Sequence, residues 1–175
     1  MRTPASPWSL RPYMLRAMSL LSTLPRRWRS FRQVGWGRRA LMAEAACCLL
    51  GARLALVFVP FSKLARRLGD FVPAGDPRVG AAAAPVGPRE AALARDVSWA
   101  VTRGARYVPF KAVCLPQAMA ARMMLSRRGV SSAMHFGAAT GGAKPLEAHA
   151  WLDAAGVKVT GYPVERRYAE IACFV

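Results

Sequence analysis

Two residues that together can carry thiol chemistry stand in the second half of the chain, Cys114 and His149. Cys114 falls where a loop gives way to an Ala- and Met-rich stretch that predicts a helix. A thiol at a helix N-terminus lies at the positive end of the helix dipole, which favours the thiolate. His149 lies in the run Glu147-Ala-His-Ala-Trp-Leu-Asp, which is typical of a strand. This order predicts a cysteine nucleophile with a histidine base.

Simpler interpretations compete with this one. A cysteine at a helix start is often a small buried hydrophobic residue, and a histidine on a sheet is often part of the core. His135 is a rival base, because it precedes the Gly-rich loop Ala139–Pro145. Pro116 favours a helix start at Cys114, since proline is tolerated in the first turn.

Hydrophobic spacing predicts the elements that position these residues, with helices in the first part of the chain and strands in the second. Residues 70–88 are rich in Pro, Gly and Ala and predict a surface loop. Ser62 is the predicted N-cap of the helix that begins at Lys63. Helices are predicted over Arg39–Leu56, from Lys63 to a stop at Gly69, over Glu90–Tyr107, and from Cys114 to Arg127-Arg-Gly.

After Gly129 the pattern predicts strands. Ala133–Gly137 predicts one, and Ala148–Asp153 with Val157–Tyr162 predicts a hairpin around Ala154-Ala-Gly. The fold class is therefore α+β, with a helical N-terminal half followed by a small antiparallel sheet. The length of 175 residues favours one domain, over 38–175, preceded by a basic arm over 1–37.

The chain is strongly basic, with 26 Lys+Arg against 9 Asp+Glu and a formal net charge of +17. Such a surface attracts an acidic peptide or partner, membrane phospholipid or nucleic acid. Leu41–Phe61 is long enough to raise the question of a membrane span, and Glu44, Arg53 and Pro60 argue against one. The basic residues are dispersed and no nucleic-acid-binding motif occurs.

The four cysteines include no C-x-x-C pair, so no metal site is expected. Cys47 and Cys48 lie in an apolar run and are interpreted as small core residues. The first residues lack the apolar stretch of a secretory signal, which indicates a cytoplasmic protein with reduced thiols.

Several of these stretches resemble one known family, the lasso-peptide biosynthesis B2 proteins. The resemblance rests on Ala40-Leu-Met-Ala-Glu-Ala, on the segment ending in Pro60-Phe-Ser-Lys-Leu-Ala-Arg-Arg-Leu-Gly, on Val113-Cys-Leu-Pro-Gln-Ala through Arg127-Arg-Gly, and on Ala148-His-Ala-Trp-Leu. These proteins are leader peptidases of the microcin-processing type with a transglutaminase-like, papain-like fold. The resemblance covers roughly residues 38–175, with its parts in the family's order.

The resemblance implies that Cys114 is the nucleophile and His149 the base. It implies a cysteine endopeptidase that removes the leader from a ribosomally made lasso-peptide precursor. The expected partners are the precursor, a separate leader-binding protein and a lasso cyclase. No bound cofactor is expected, and ATP is implied for the cyclase alone. The arm over 1–37 is too short to be the leader-binding module.

The family has an Asp on the strand after the histidine strand as the third member of its triad. This chain has no Asp at that position. His149 should face Gly161 or Tyr162 in the predicted hairpin, and Asp153 is about 13 Å further along its own strand. Glu165, Tyr162, a backbone carbonyl or water could orient the imidazole instead. Besides the peptidase, two functions stay open: a catalytically weak relative that binds peptide and cyclase, and a basic protein of membrane surfaces or nucleic acid.

Overall fold

A computed structural model describes residues 35–140 and 145–175. The residues from Ala40 to Val175 form one compact unit. The predicted arm over 1–37 falls almost wholly outside the described residues, as does the centre of the predicted Gly-rich loop.

Helices make up the first part of the described chain, as the spacing predicts. The helix α2 begins at Phe61 after Pro60, without a side-chain cap, so the predicted N-cap at Ser62 is wrong. Gly69, with a φ of 114°, ends α2 as predicted. The described residues form α1 (Trp36–Phe58), α2 (Phe61–Leu68), α3 (Pro77–Ala83), α4 (Pro88–Gly104) and α5 (Cys114–Ser126).

The helix α1 has the length and apolar composition of a membrane-spanning helix, and 28% of its most apolar segment is buried in the protein. It is nevertheless built into the domain. Met42, Cys48 and Leu49 are buried in the core, and Glu44 accepts hydrogen bonds from Arg128, at 2.6 Å, and from Arg127. The bond from Arg128 holds the pKa of Glu44 below its usual value. Cys48 is a core residue as predicted, whereas Cys47 is exposed.

The segment 70–88 is not the featureless loop that its composition predicts. It contains the short strand β1 (Phe71–Pro73) and the helix α3. The Asp76 carboxylate accepts a hydrogen bond from the Arg78 N–H, and Pro77 occupies the first turn, so α3 has both features of a helix start.

The sheet is five-stranded and antiparallel throughout, in the order β1-β5-β2-β3-β4. Ala155 and Gly156, with φ of 49° and 73°, form the tight turn between β3 and β4. The helices α4 and α5 pack on β3 and β4, which confirms the α+β class with a helical N-terminal half. The remaining strands are β2 (Ala133–Thr140), β3 (Leu146–Ala154), β4 (Val157–Thr160) and β5 (Ala169–Phe174).

Candidate functional site

Cys114 is the first residue of α5, where the sequence predicts it. Its side chain is half-buried and packs against the helical core. The first backbone bond of the helix runs from the Gln117 N–H to the Val113 carbonyl, at 3.2 Å. The N–H groups of Cys114 and Leu115 precede this bond and therefore point out of the helix end. The thiol thus lies beside two outward-pointing backbone donors.

Gln117 supports the loop that carries the thiol. Its side-chain amide donates to the Ala112 carbonyl at 2.6 Å, and the residue is half-buried. The sequence predicts only a helix-surface residue here, because a glutamine within an Ala-rich helix gives no sign of a bond back to the preceding loop. Gln117 fixes the backbone immediately before Cys114.

His149 is anchored by a backbone carbonyl. Its Nε2 lies 2.7 Å from the Gly161 oxygen. A carbonyl oxygen only accepts hydrogen bonds, so Nε2 carries the proton and Nδ1 is the ring nitrogen left to accept one. The sequence predicts Gly161 or Tyr162 opposite His149, but the β3–β4 ladder shifts register and ends at Leu152–Thr160, so Gly161 lies just past β4 and reaches the imidazole through its carbonyl. This backbone carbonyl is the orienting group among those that the sequence left open.

The strand β3 carries His149 on the face opposite the one that packs against α5. The helix α5 packs against β3, and Ala150 and Leu152 on this strand are buried in the helical core. His149 alternates with them and shares the other face with Trp151, while the neighbouring Ala148 is exposed where the strand leaves the core. Among the described residues no hydrogen bond joins the Cys114 thiol to His149, so the predicted distance of about 4 Å stays a prediction.

His135 lies in a different cluster, beside Cys173. Its Nδ1 is 2.6 Å from the Glu170 carboxylate and 3.4 Å from the Cys173 sulfur, and its Nε2 is 3.4 Å from Asp153. Cys173 donates its S–H to Glu170 at 2.7 Å and is fully buried. Burial and this bond raise the pKa of Cys173 to about 12, so it stays a thiol at neutral pH. This second cysteine–histidine pair lacks an accessible thiolate.

Comparison with known proteins identifies the domain. A family model described as the transglutaminase-like superfamily matches residues 55–173. The chain belongs to the transglutaminase-like superfamily. The matched span of this transglutaminase-like domain contains both Cys114 and His149. The superfamily includes cysteine peptidases. No curated protein and no solved structure matches the chain.

Trp151 links the two histidines of the transglutaminase-like domain. Its ring stacks on His135 at a centroid distance of 5.3 Å and on His149 at 6.0 Å. A Cβ at Gly137, which pairs with His149, would lie 2.8 Å from the Trp151 ring, so only glycine leaves room for this stack. The Tyr168 ring also contacts His149, with ring centroids 5.1 Å apart. Packing and the Gly161 carbonyl therefore both fix the imidazole.

The His135 cluster also contains metal-binding residue types. The ligand atoms of His135, Glu170 and Cys173 lie within 4.8 Å of one another. Two of their separations, 2.6 and 2.7 Å, are those of direct hydrogen bonds. Ligands of a tetrahedral zinc ion stand about 3.3 Å apart, given bonds of about 2.0–2.1 Å to nitrogen and oxygen. The present spacing therefore suits a hydrogen-bonded network.

This cluster predicts a pH-dependent stability. Burial disfavours protonated His135, but the negative charges of Asp153 and Glu170 outweigh it and raise the pKa of His135 above 6.5. Burial likewise opposes ionised Glu170, but bonds from Cys173 and His135 lower its pKa below 4.5. The stabilisation of the folded state by protonated His135 is complete below pH 6.5 and is lost as the pH rises through the raised pKa of His135. The stabilisation by ionised Glu170 is complete above pH 4.5 and is lost as the pH falls through the lowered pKa of Glu170.

We expect the free energy of unfolding to be highest between these limits and to fall on the alkaline side. Denaturant titrations from about pH 5 to pH 9 should show the decline. His135→Gln should remove it, because glutamine does not titrate. An unchanged alkaline slope in this variant would show that another group causes the decline.

Gly161→Ala should destabilise the protein by about 1–3 kcal/mol and lower any activity that depends on His149. Gly161 has a φ of 82°, and a Cβ there would lie 2.7 Å from Trp151 Cβ. Gly75→Ala is the matched control, because Gly75 has a φ of 86° and no atom within 4 Å of a Cβ. Thermal unfolding of both variants separates backbone strain from the collision at the site. Equal losses in the two variants would contradict the collision.

Proposed function

We propose that this protein is a cysteine endopeptidase that removes the leader from a ribosomally made lasso-peptide precursor. The supporting observation is the placement of Cys114 at the first position of α5, packed against the strand that carries a carbonyl-anchored His149. The sequence resemblance to the lasso-peptide B2 proteins supplies the substrate class.

The proposed reaction uses Cys114 as the nucleophile and His149 Nδ1 as the proton carrier. Nδ1 takes the thiol proton, and the thiolate attacks the carbonyl carbon at the leader–core junction. In this proposal the N–H groups of Cys114 and Leu115 stabilise the oxyanion. The imidazolium then protonates the leaving amine of the core peptide, which leaves the leader as a thioester on Cys114. Water, deprotonated at Nδ1, hydrolyses the thioester, and the thiol regains its proton.

The Gly161 carbonyl performs only part of the work of a triad carboxylate. It fixes the tautomer of His149, because Nε2–H must point at it. It bears no full negative charge, so it stabilises the imidazolium less than a carboxylate does. We therefore expect a slow enzyme when the precursor is presented alone.

The partners follow from the same proposal. A separate leader-binding protein presents the precursor, and an ATP-dependent cyclase closes the released core in the cytoplasm. The net charge of +17 attracts acidic surfaces, so association with the leader-bound partner should be faster at low salt. Deleting residues 1–37 should weaken this association and leave the reactivity of Cys114 intact.

A catalytically weak relative that binds peptide and cyclase is the second candidate. This candidate is favoured because the Gly161 carbonyl, and not an Asp as in the lasso-peptide B2 proteins, orients His149. Such a protein would bind the leader-bound partner and cleave nothing.

Reconstitution with the precursor and the leader-binding protein separates the two functions. Mass spectrometry should show one cut between leader and core, much faster with the leader-binding protein than without it. A folded protein that binds the leader-bound partner but releases no core would instead establish the weak relative.

A further inference from the structure

An exposed apolar seam runs along α1 on the face opposite its core residues. Ala45, Leu49 and Ala52 face the core, while residues spaced alternately by three and four positions face outward. The outward side becomes more bulky towards the C-terminal end. We call it the α1 seam and define it by its exposed residues Ala43, Cys47, Leu50, Leu54, Val57 and Phe58, together with the adjoining Phe61 at the start of α2.

The exposure of the seam is large for apolar side chains. Leu54 is 47% exposed, Val57 59% and Phe58 76%. A large exposed apolar surface rimmed by polar residues marks a site that is covered by a partner or a membrane.

The surface beside the seam is uniformly basic. The sequence from Ala45 to Gly69 contains no acidic residue, and Glu44, at the N-terminal end of the seam, is neutralised by Arg127 and Arg128. Its four cations, Arg53, Lys63, Arg66 and Arg67, are all exposed. None of them forms an ion pair with any residue in the described part of the chain. Their charge is therefore available to an anionic surface.

These two observations favour one occupant over the others. A second copy would set the same unpaired cations against each other, which costs free energy. A span across the bilayer would require α1 to leave the core that buries Ala45 and Leu49. Apolar side chains flanked by cations and free of carboxylates are what an anionic bilayer surface binds. We infer that the α1 seam docks on the surface of a membrane containing anionic phospholipid.

Docking of this kind places the protein on the surface and not through the bilayer. Leu54, Val57 and Phe58 enter the boundary between headgroups and acyl chains. Arg53, Lys63, Arg66 and Arg67 meet the lipid phosphates. Each such cation strengthens binding by about fivefold at low salt. The inference does not depend on the peptidase activity, because no residue of the seam belongs to the candidate site.

The test is co-sedimentation of the full chain with vesicles of phosphatidylcholine alone or mixed with phosphatidylglycerol. We expect at least about tenfold stronger partitioning onto the anionic vesicles, and weakening with added salt. Leu54→Gln with Phe58→Gln should reduce partitioning by about tenfold or more. Arg66→Gln with Arg67→Gln should reduce it on anionic vesicles only.

Val86→Gln with Ile171→Gln is the matched control. Val86 and Ile171 are 72% and 60% exposed and lie outside the seam, so their loss should leave partitioning unchanged. Equal binding to both vesicle types, or equal loss in the seam and control variants, would overturn the inference. So would seam variants that keep full vesicle binding and lose binding to the leader-binding protein, because the seam would then be a protein interface.

Discussion

Cys114→Ala is expected to abolish leader removal, lowering kcat/KM by at least about 10⁴-fold, while the protein stays folded. The thiol is the only proposed nucleophile, and no neighbouring group can form the thioester in its place. Cys114 is half-buried and small, so alanine fits the same space at the start of α5. The measurement is release of core peptide from the precursor in the presence of the leader-binding protein.

Cys47→Ala is the matched control for this variant. Cys47 is a free, exposed cysteine on α1, and its loss should leave cleavage unchanged. Thermal unfolding of both variants excludes loss of structure as the cause. A Cys114→Ala protein that still releases the core at the wild-type rate would remove Cys114 from the mechanism.

His149→Ala should reduce kcat by about 10³-fold, since general base catalysis contributes about 10²–10⁴-fold. His135→Gln should leave kcat within a few-fold of wild type and lower the free energy of unfolding by about 1 kcal/mol, because it leaves the partly exposed carboxylates of Glu170 and Asp153 without their cationic partner. We therefore expect His149→Ala to lose activity and His135→Gln to lose stability. Single-turnover cleavage and denaturant titration of each variant measure both quantities.

The reverse pattern would reassign the base. If His135→Gln stopped cleavage and His149→Ala did not, the cluster around Cys173 would be the reactive one. The buried thiol and the raised pKa of Cys173 argue that this will not happen.

Much of the fold could be predicted because its signals are local. The helix start at Cys114 follows from the change of composition and from Pro116, and the β3–β4 hairpin follows from its turn and alternation. The strands β1 and β5 could not be predicted in this way. Val72 pairs with Cys173 across about a hundred residues of sequence, a contact that no local pattern specifies.

The site shows the same division between local and distant information. Cys114 and His149 are visible from their own segments. The bond from Gln117 to Ala112 and the carbonyl anchor at Gly161 depend on how loops close in three dimensions. The sequence shows that a carboxylate is missing opposite His149 without showing which group replaces it. The His135 cluster likewise joins residues from three different strands.

The most direct test of the central claim is a leader peptide that carries a chloromethyl ketone at the cleavage point, which alkylates a cysteine sulfur with loss of chloride. Bound with the leader-binding protein, it should form one covalent adduct, and peptide mapping by mass spectrometry should place that adduct on Cys114. The adduct should form far more slowly in His149→Ala, while iodoacetamide still labels the exposed Cys47 in both proteins. An adduct on Cys47 or Cys173, or none on the folded protein, would contradict the assignment of Cys114 as the peptidase nucleophile.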